Sequence, residues 1–199
     1  GDREFAKTIT DYPAIGDYLV RMMDLSAVAM LAAMPDTQSA KRRTLYGRAG
    51  EYRISLIEPR KIEYRVHSSA ILAHPTMVHL AGEFTRGLFK IASCYPFGFE
   101  LPPAKVVQQC INECDSKLAR TLIKVVRPYL EGALNGTLGN STSDVIFKVL
   151  ESAEGFNSVL DFSDDAFVKN WHWAPPTAPD CKHTGWQYHC GAPLCTLGQ

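Results

Sequence analysis

The chain has 199 residues, enough for one domain whose core forms without covalent staples. Its composition, 46% hydrophobic and 21% charged, is that of a globular protein and excludes a largely disordered chain. Basic and acidic residues number 21 each, so net charge gives no reason to expect nucleic acid or an anionic membrane as partner.

The start, Gly1-Asp2-Arg3 without Met, reads as a processed or trimmed end, so a missing signal peptide carries no information. Asp11 and Pro13 then form a helix-start signal: an acidic cap followed by a residue whose absent N–H costs nothing there. Ile15, Tyr18, Leu19, Met22, Leu25, Val28, Ala29 and Ala32 recur at helical spacing, which predicts a helix over 12–34 ended by Pro35. Its apolar run from Leu25 to Met34 is the longest in the chain and falls short of the ~18 residues a membrane helix needs. A second helix is expected over 37–49, weakened by Gly47 and Gly50, with Lys41-Arg42-Arg43 on a solvated face.

The period then changes to two. Tyr52, Ile54 and Leu56 alternate with Arg53 and Ser55. After the turn-like Glu58-Pro59-Arg60-Lys61, Ile62, Tyr64 and Val66 alternate with Glu63 and Arg65. This predicts a β-hairpin over 52–66 with the six apolar side chains facing the core. Residues 68–74 and 76–92 read as helices on either side of Pro75. Val66-His67-Ser68-Ser69-Ala70-Ile71-Leu72 resembles, over a short stretch, the hairpin-to-helix corner of BTB domains. The later strand and helix pattern of that family is missing, so the fold is not assigned from it.

Cys94 to Leu101 reads as an aromatic loop, and Pro102-Pro103 opens the longest expected helix, 103–131. The Gly/Asn/Ser-rich stretch 132–142 reads as a flexible surface loop, and helices are expected over 143–155 and 164–170. The tail 171–199 is rich in Pro, Trp, His and Cys, shows no period and reads as an irregular arm. The fold class expected is therefore mainly α with one β-hairpin. It divides into a helical core (1–131), a loop (132–142) and a C-terminal helix with a Cys/Trp/Pro-rich arm packed on the core (143–199).

All six cysteines lie in the second half: Cys94, Cys110, Cys114, Cys181, Cys190 and Cys195. An even, clustered set, with sequons at Asn135 and Asn140 in the expected loop, points to disulfides, glycosylation and a secreted protein; a cytoplasmic one is the alternative. Cys110 and Cys114, four apart, are expected on one face of the long helix, where each can bridge to a different partner or fill the core as a small apolar group. Cys181, His183, Cys190 and Cys195 are zinc-ligand types, although their spacing matches no standard zinc knuckle.

A thiol hydrolase would use Cys94 as nucleophile, His172 as base and Asp161 or Asp164 as orienter, as papain-like enzymes join a Cys and a distant His in space. No family signature surrounds these residues. His67, His74 and His79 read as satisfied or surface histidines, and Asp164-Asp165 as helix-capping carboxylates. The first functional expectation is a secreted, disulfide-stabilised interaction or ligand-binding protein without catalysis or cofactor. Its partner would be another protein or a small apolar ligand, gripped by Tyr95, Phe97, Phe99, Trp171, Trp173 and Trp186. The alternatives are the hydrolase and an intracellular adaptor with a zinc-bound tail.

Overall fold

The computed structural model describes residues 7–8, 11–34, 36, 39–55, 61–94, 100–138, 147–148 and 150–151. They are mainly helical with one two-stranded antiparallel hairpin, as the sequence pattern predicts.

Helix α1 (Pro13–Ala33) opens with its proline in the first turn and runs the length expected. From Leu25 to Met34 almost every side chain is buried, because no charge interrupts that stretch and the helix is apolar all round. It is the central element of the fold and packs against three other helices, α3 (Pro75–Cys94), α4 (Ala104–Asn112) and α5 (Ser116–Leu138). No helix among the described residues is long and apolar enough to cross a membrane.

Helix α2 (Ser39–Arg43) is far shorter than the 37–49 expected. Gly47 and Gly50 adopt φ of 72° and 81°, left-handed values that a helix cannot contain. They turn the chain into strand β1 (Tyr52–Ser55), which pairs with β2 (Lys61–Tyr64) in the register Tyr52↔Tyr64, Arg53↔Glu63, Ile54↔Ile62 and Ser55↔Lys61. Ile62 and Tyr64 pack against the core and Val66 is fully buried, as expected; Tyr52 and Ile54, expected on the same face, are half-buried and lie outside the core cluster, and Leu56 lies outside the described residues.

The chain continues through a short 3-10 helix (Ser69–Ala73), where the sequence predicts α-helix, and then α3. Ser68 caps the 3-10 turn by accepting a hydrogen bond from the Ala70 amide. Met77, Leu80, Ala81, Phe84, Leu88 and Ile91 form the buried stripe of α3 at helical spacing.

The long helix expected over 103–131 is two helices. The Asp115 amide donates to Cys110 O (2.9 Å) and the Cys114 amide to Ile111 O (3.2 Å), which is a Schellman closure of α4. Cys114 takes φ 55° at the position where glycine is usual. The Asp115 carboxylate then accepts from the Leu118 amide at 2.8 Å and so caps α5. Apolar periodicity continues across this break, which is why the pattern alone reads as one helix.

Helix α5 carries Pro128 in its interior and runs to Leu138, well into the stretch 132–142 expected to be a loop. Asn135 is therefore in helix, not in an exposed turn; Asn140 lies outside the described residues. Residues 147, 148, 150 and 151 are helical, as expected. Phe147 and Leu150 are fully buried, and Arg127 lies over the Phe147 ring while bonding to Glu151 at 2.9 Å.

Candidate functional site

Helix α1 buries two polar residues in its apolar run, Asp24 (2% exposed) and Ser26. Each is met by a group from another element. Asp24 Oδ1 accepts from the Tyr64 hydroxyl at 2.7 Å and from the Gly50 amide at 3.2 Å, so one carboxylate ties the helix to the hairpin and to the turn before it. Burial raises the Asp24 pKa to about 6, against the opposing pull of the Tyr64 and Gly50 hydrogen bonds and of the Arg43 and Arg21 charges. Burial also lifts the Tyr64 hydroxyl well above its usual range, with Asp24 adding to the rise.

Two residues further along α1, Ser26 Oγ lies 2.8 Å from Thr85 Oγ1 of α3 and 3.5 Å from His67 Nε2. The His67 ring meets Tyr64 edge-on at 5.7 Å. Burial, helped by the Arg43 charge, lowers the His67 pKa to about 4, so the imidazole is neutral at physiological pH.

Arg43 is the one arginine buried in this junction, at 6% exposure. It donates to Gly47 O at 2.8 Å and receives Arg48 Nε on its own carbonyl at 3.0 Å. Arg42 reaches over it to Val66 O and His67 O, both at 3.2 Å. The Ser39 and Ser68 hydroxyls both donate to the Asp36 carboxylate and lie 2.9 Å from each other. Between these groups and α1 sits a cavity of about 20 Å³, whose walls include Met30, Asp36, Arg43, His67, Ser68 and Cys114. That volume admits a single water, which needs about 10–15 Å³, and no larger molecule.

Of the sequence-predicted site residues, Cys110 and Cys114 are buried with free thiols. They do not share a helical face, because Cys114 lies past the end of α4. Cys110 donates to Asp115 O at 3.4 Å, and burial, then Asp115 and Cys114, push its pKa up to about 12, the opposite of an activated thiolate. Cys94 is the last residue of α3 rather than part of a loop. Its side chain, the expected hydrolase partners His172 and Asp161, and the zinc set Cys181, His183, Cys190 and Cys195 lie outside the described residues. So do the aromatic set Tyr95, Phe97, Phe99, Trp171, Trp173 and Trp186. Among the described residues no group of three or more His, Cys, Asp or Glu could hold a metal ion.

His79 is exposed, and His74 Nδ1 accepts from the Thr76 amide at 3.0 Å, as satisfied or surface histidines do; His67 is the exception. Sequence reasoning missed Asp24, Ser26, Arg43 and Thr85. For Asp24 the signal was present: a carboxylate set directly against the apolar run that begins at Leu25.

A second feature lies on the outer side of the hairpin. An open hollow of about 280 Å³ is lined by Tyr46, Gly47, Glu51, Tyr52, Arg53, Glu63 and Arg65. Glu63 is taken up by Arg65 at 2.6 Å, and Glu51 accepts from the Arg48 amide at 3.1 Å. Tyr46, which lines it, is 50% exposed with the Arg42 guanidinium 5.3 Å from its ring centre, and the preceding residue, Leu45, is 84% exposed. No family model matches this chain, and no match is found among curated proteins or solved structures.

Proposed function

We propose that this protein is an interaction module that binds a partner protein through the Leu45–Tyr46 turn and the hollow beside it, without catalysis. The observation that carries the reading is an apolar tip held out in water on a braced turn. The Leu45 and Tyr46 amides both bond to Arg42 O, at 2.9 and 3.1 Å. Arg42, Arg43 and Arg48 then fasten the turn to the hairpin and to itself. Single exposed apolar residues are ordinary. A neighbouring Leu and Tyr on a rigid support, next to a concave surface, form the kind of anchor that loses little entropy on binding.

The titratable groups of the polar junction support the same reading: Asp24 is buried, His67 is half-buried, and the cavity beside His67 has a volume of about 20 Å³, that of one water. The cysteine set and the sequons support secretion, whereas the free thiols of Cys110 and Cys114 weigh towards a reducing compartment.

A photo-crosslinking residue placed at Leu45 in the full chain, expressed in its natural source, tests the proposal. A discrete protein adduct should form from position 45 and not from Val125, which is also exposed, on α5. Equal yields from both positions, or none from position 45, would overturn it.

A further inference from the structure

Two of the residues that line the cavity behind His67 carry a buried polar atom whose hydrogen-bonding capacity the described residues do not use. Arg43 Nε and His67 Nδ1 are buried with no hydrogen-bond partner among the described residues. Both residues line the same 20 Å³ cavity, together with Asp36 and Ser68. A buried donor or acceptor left unmade costs about 1–3 kcal/mol, more when charged, so two in one cavity are not a neutral accident of packing. The volume suits one water, and a water is retained where two to four polar groups converge on it. Arg43 can only donate. A water there accepts from Arg43 Nε, donates one hydrogen to an unprotonated imidazole nitrogen and has its other hydrogen for Asp36 or Ser68.

We propose that this cavity binds one internal water that links Arg43 Nε to His67 Nδ1 and thereby fixes His67 as the Nε2–H tautomer. The ring N–H on Nε2 then points at Ser26 Oγ, 3.5 Å away, and the Ser26 hydroxyl donates its hydrogen bond to Thr85 Oγ1 at 2.8 Å. The result is one directional chain: Arg43 to water, water to His67, His67 to Ser26, Ser26 to Thr85. It joins α2, the segment after β2, α1 and α3 through the middle of the core. The Met30, Met34, Leu31 and Ile71 side chains on the cavity's other wall exclude a second water.

Nitrogen-15 NMR of the full-length chain tests this directly. His67 should show a proton-bearing Nε2 and a bare, hydrogen-bonded Nδ1, and the Arg43 Nε–H should give a cross-peak to a long-lived water. In Arg43→Lys, which keeps the charge but moves the donor, the Nδ1 signal should shift towards that of a free imidazole. A thermal melt and a fold-reporting spectrum on that variant separate this outcome from unfolding. A proton on Nδ1 in the parent protein, or an Arg43 Nε–H with no water contact, would overturn the assignment.

Discussion

Asp24 and His67 sit close together in the same junction and titrate in overlapping ranges, with opposite effects on stability. Asp24 rises from 3.8 unfolded to about 6 folded, and His67 falls from 6.5 to about 4. At about 1.4 kcal/mol per pKa unit, each shift corresponds to about 3 kcal/mol. For Asp24 the folded state holds the proton more tightly. Stability is full below pH 3.8 and is lost as pH rises through about 6. For His67 the folded state holds it less tightly. Stability is full above pH 6.5 and is lost as pH falls through about 4. Between those limits the two slopes oppose each other and nearly cancel, so the wild-type junction is insensitive to pH although both of its ionisable members are strongly perturbed.

Removing either partner exposes the other. Asn in place of Asp24 keeps an oxygen for Tyr64 and Gly50 but cannot ionise; Gln in place of His67 keeps a polar contact for Ser26. Urea unfolding at a series of pH values measures the stability of wild type and variant, and subtracting one from the other cancels every other titrating group. The wild type minus Asp24→Asn difference should fall by about 3 kcal/mol as pH rises from about 4 to about 7. The wild type minus His67→Gln difference should rise by a similar amount over the same interval. Two flat lines, or two lines of the same slope, would refute the reasoning.

Three further outcomes follow from local geometry. Gly47→Ala and Gly50→Ala should each cost about 1–2 kcal/mol for the left-handed backbone. Gly47→Ala should be the worse in urea unfolding, because its Cβ would lie 2.7 Å from the Arg65 carbonyl oxygen, whereas at Gly50 the obstacle is the movable Gln108 side chain at 2.6 Å. Iodoacetamide without reductant should leave Cys110 and Cys114 unlabelled in the native protein and label both in denaturant, as mass spectrometry would read; labelling of neither in denaturant would show them to be in disulfides. Phe147→Ala should lower stability by about 3–5 kcal/mol, the range for a buried aromatic truncated to Ala, and a melting temperature within a degree or two of the parent would show that the segment does not dock on α5.

What the sequence made legible was periodicity. Helix α1, the hairpin and α3 all follow from which residues recur on one side, and the structure has them where the pattern placed them, apart from Lys61, which reads as turn and begins β2. What it concealed was punctuation. The break between α4 and α5 keeps the apolar spacing, and its signal is a Cys in the left-handed position that glycine normally takes, so Cys114 read as a helical neighbour of Cys110. Helix α2 was overextended because Gly47 and Gly50 were weighed as weak helix residues rather than as two left-handed turns. The polar junction was illegible for a different reason. Asp24, Arg43 and His67 are separated by the whole hairpin and its approach, and only the fold brings the three together.

That junction explains why so small a sheet has a defined register. Two short strands alone are marginal in water, and a slip of one residue would turn every side chain to the opposite face. In this hairpin the slip would do more than expose Ile62. It would remove the Tyr64 hydroxyl from Asp24, leaving a buried carboxylate with the Gly50 amide, and would move Val66 out of the core and His67 away from Ser26. The losses fall on Asp24, on Ser26 and on the core position of Val66, so the wrong register is penalised at several points at once while the right one satisfies them together. Burying Asp24 lowers stability at neutral pH, and replacing buried ionic groups with hydrophobic ones of similar size is often neutral or stabilising. What such a replacement gives up is discrimination against a slip of two residues: with an apolar residue at position 24, the hairpin would settle on α1 by hydrophobicity alone, and hydrophobicity does not distinguish Tyr64 from Ile62 or Val66 on the same face.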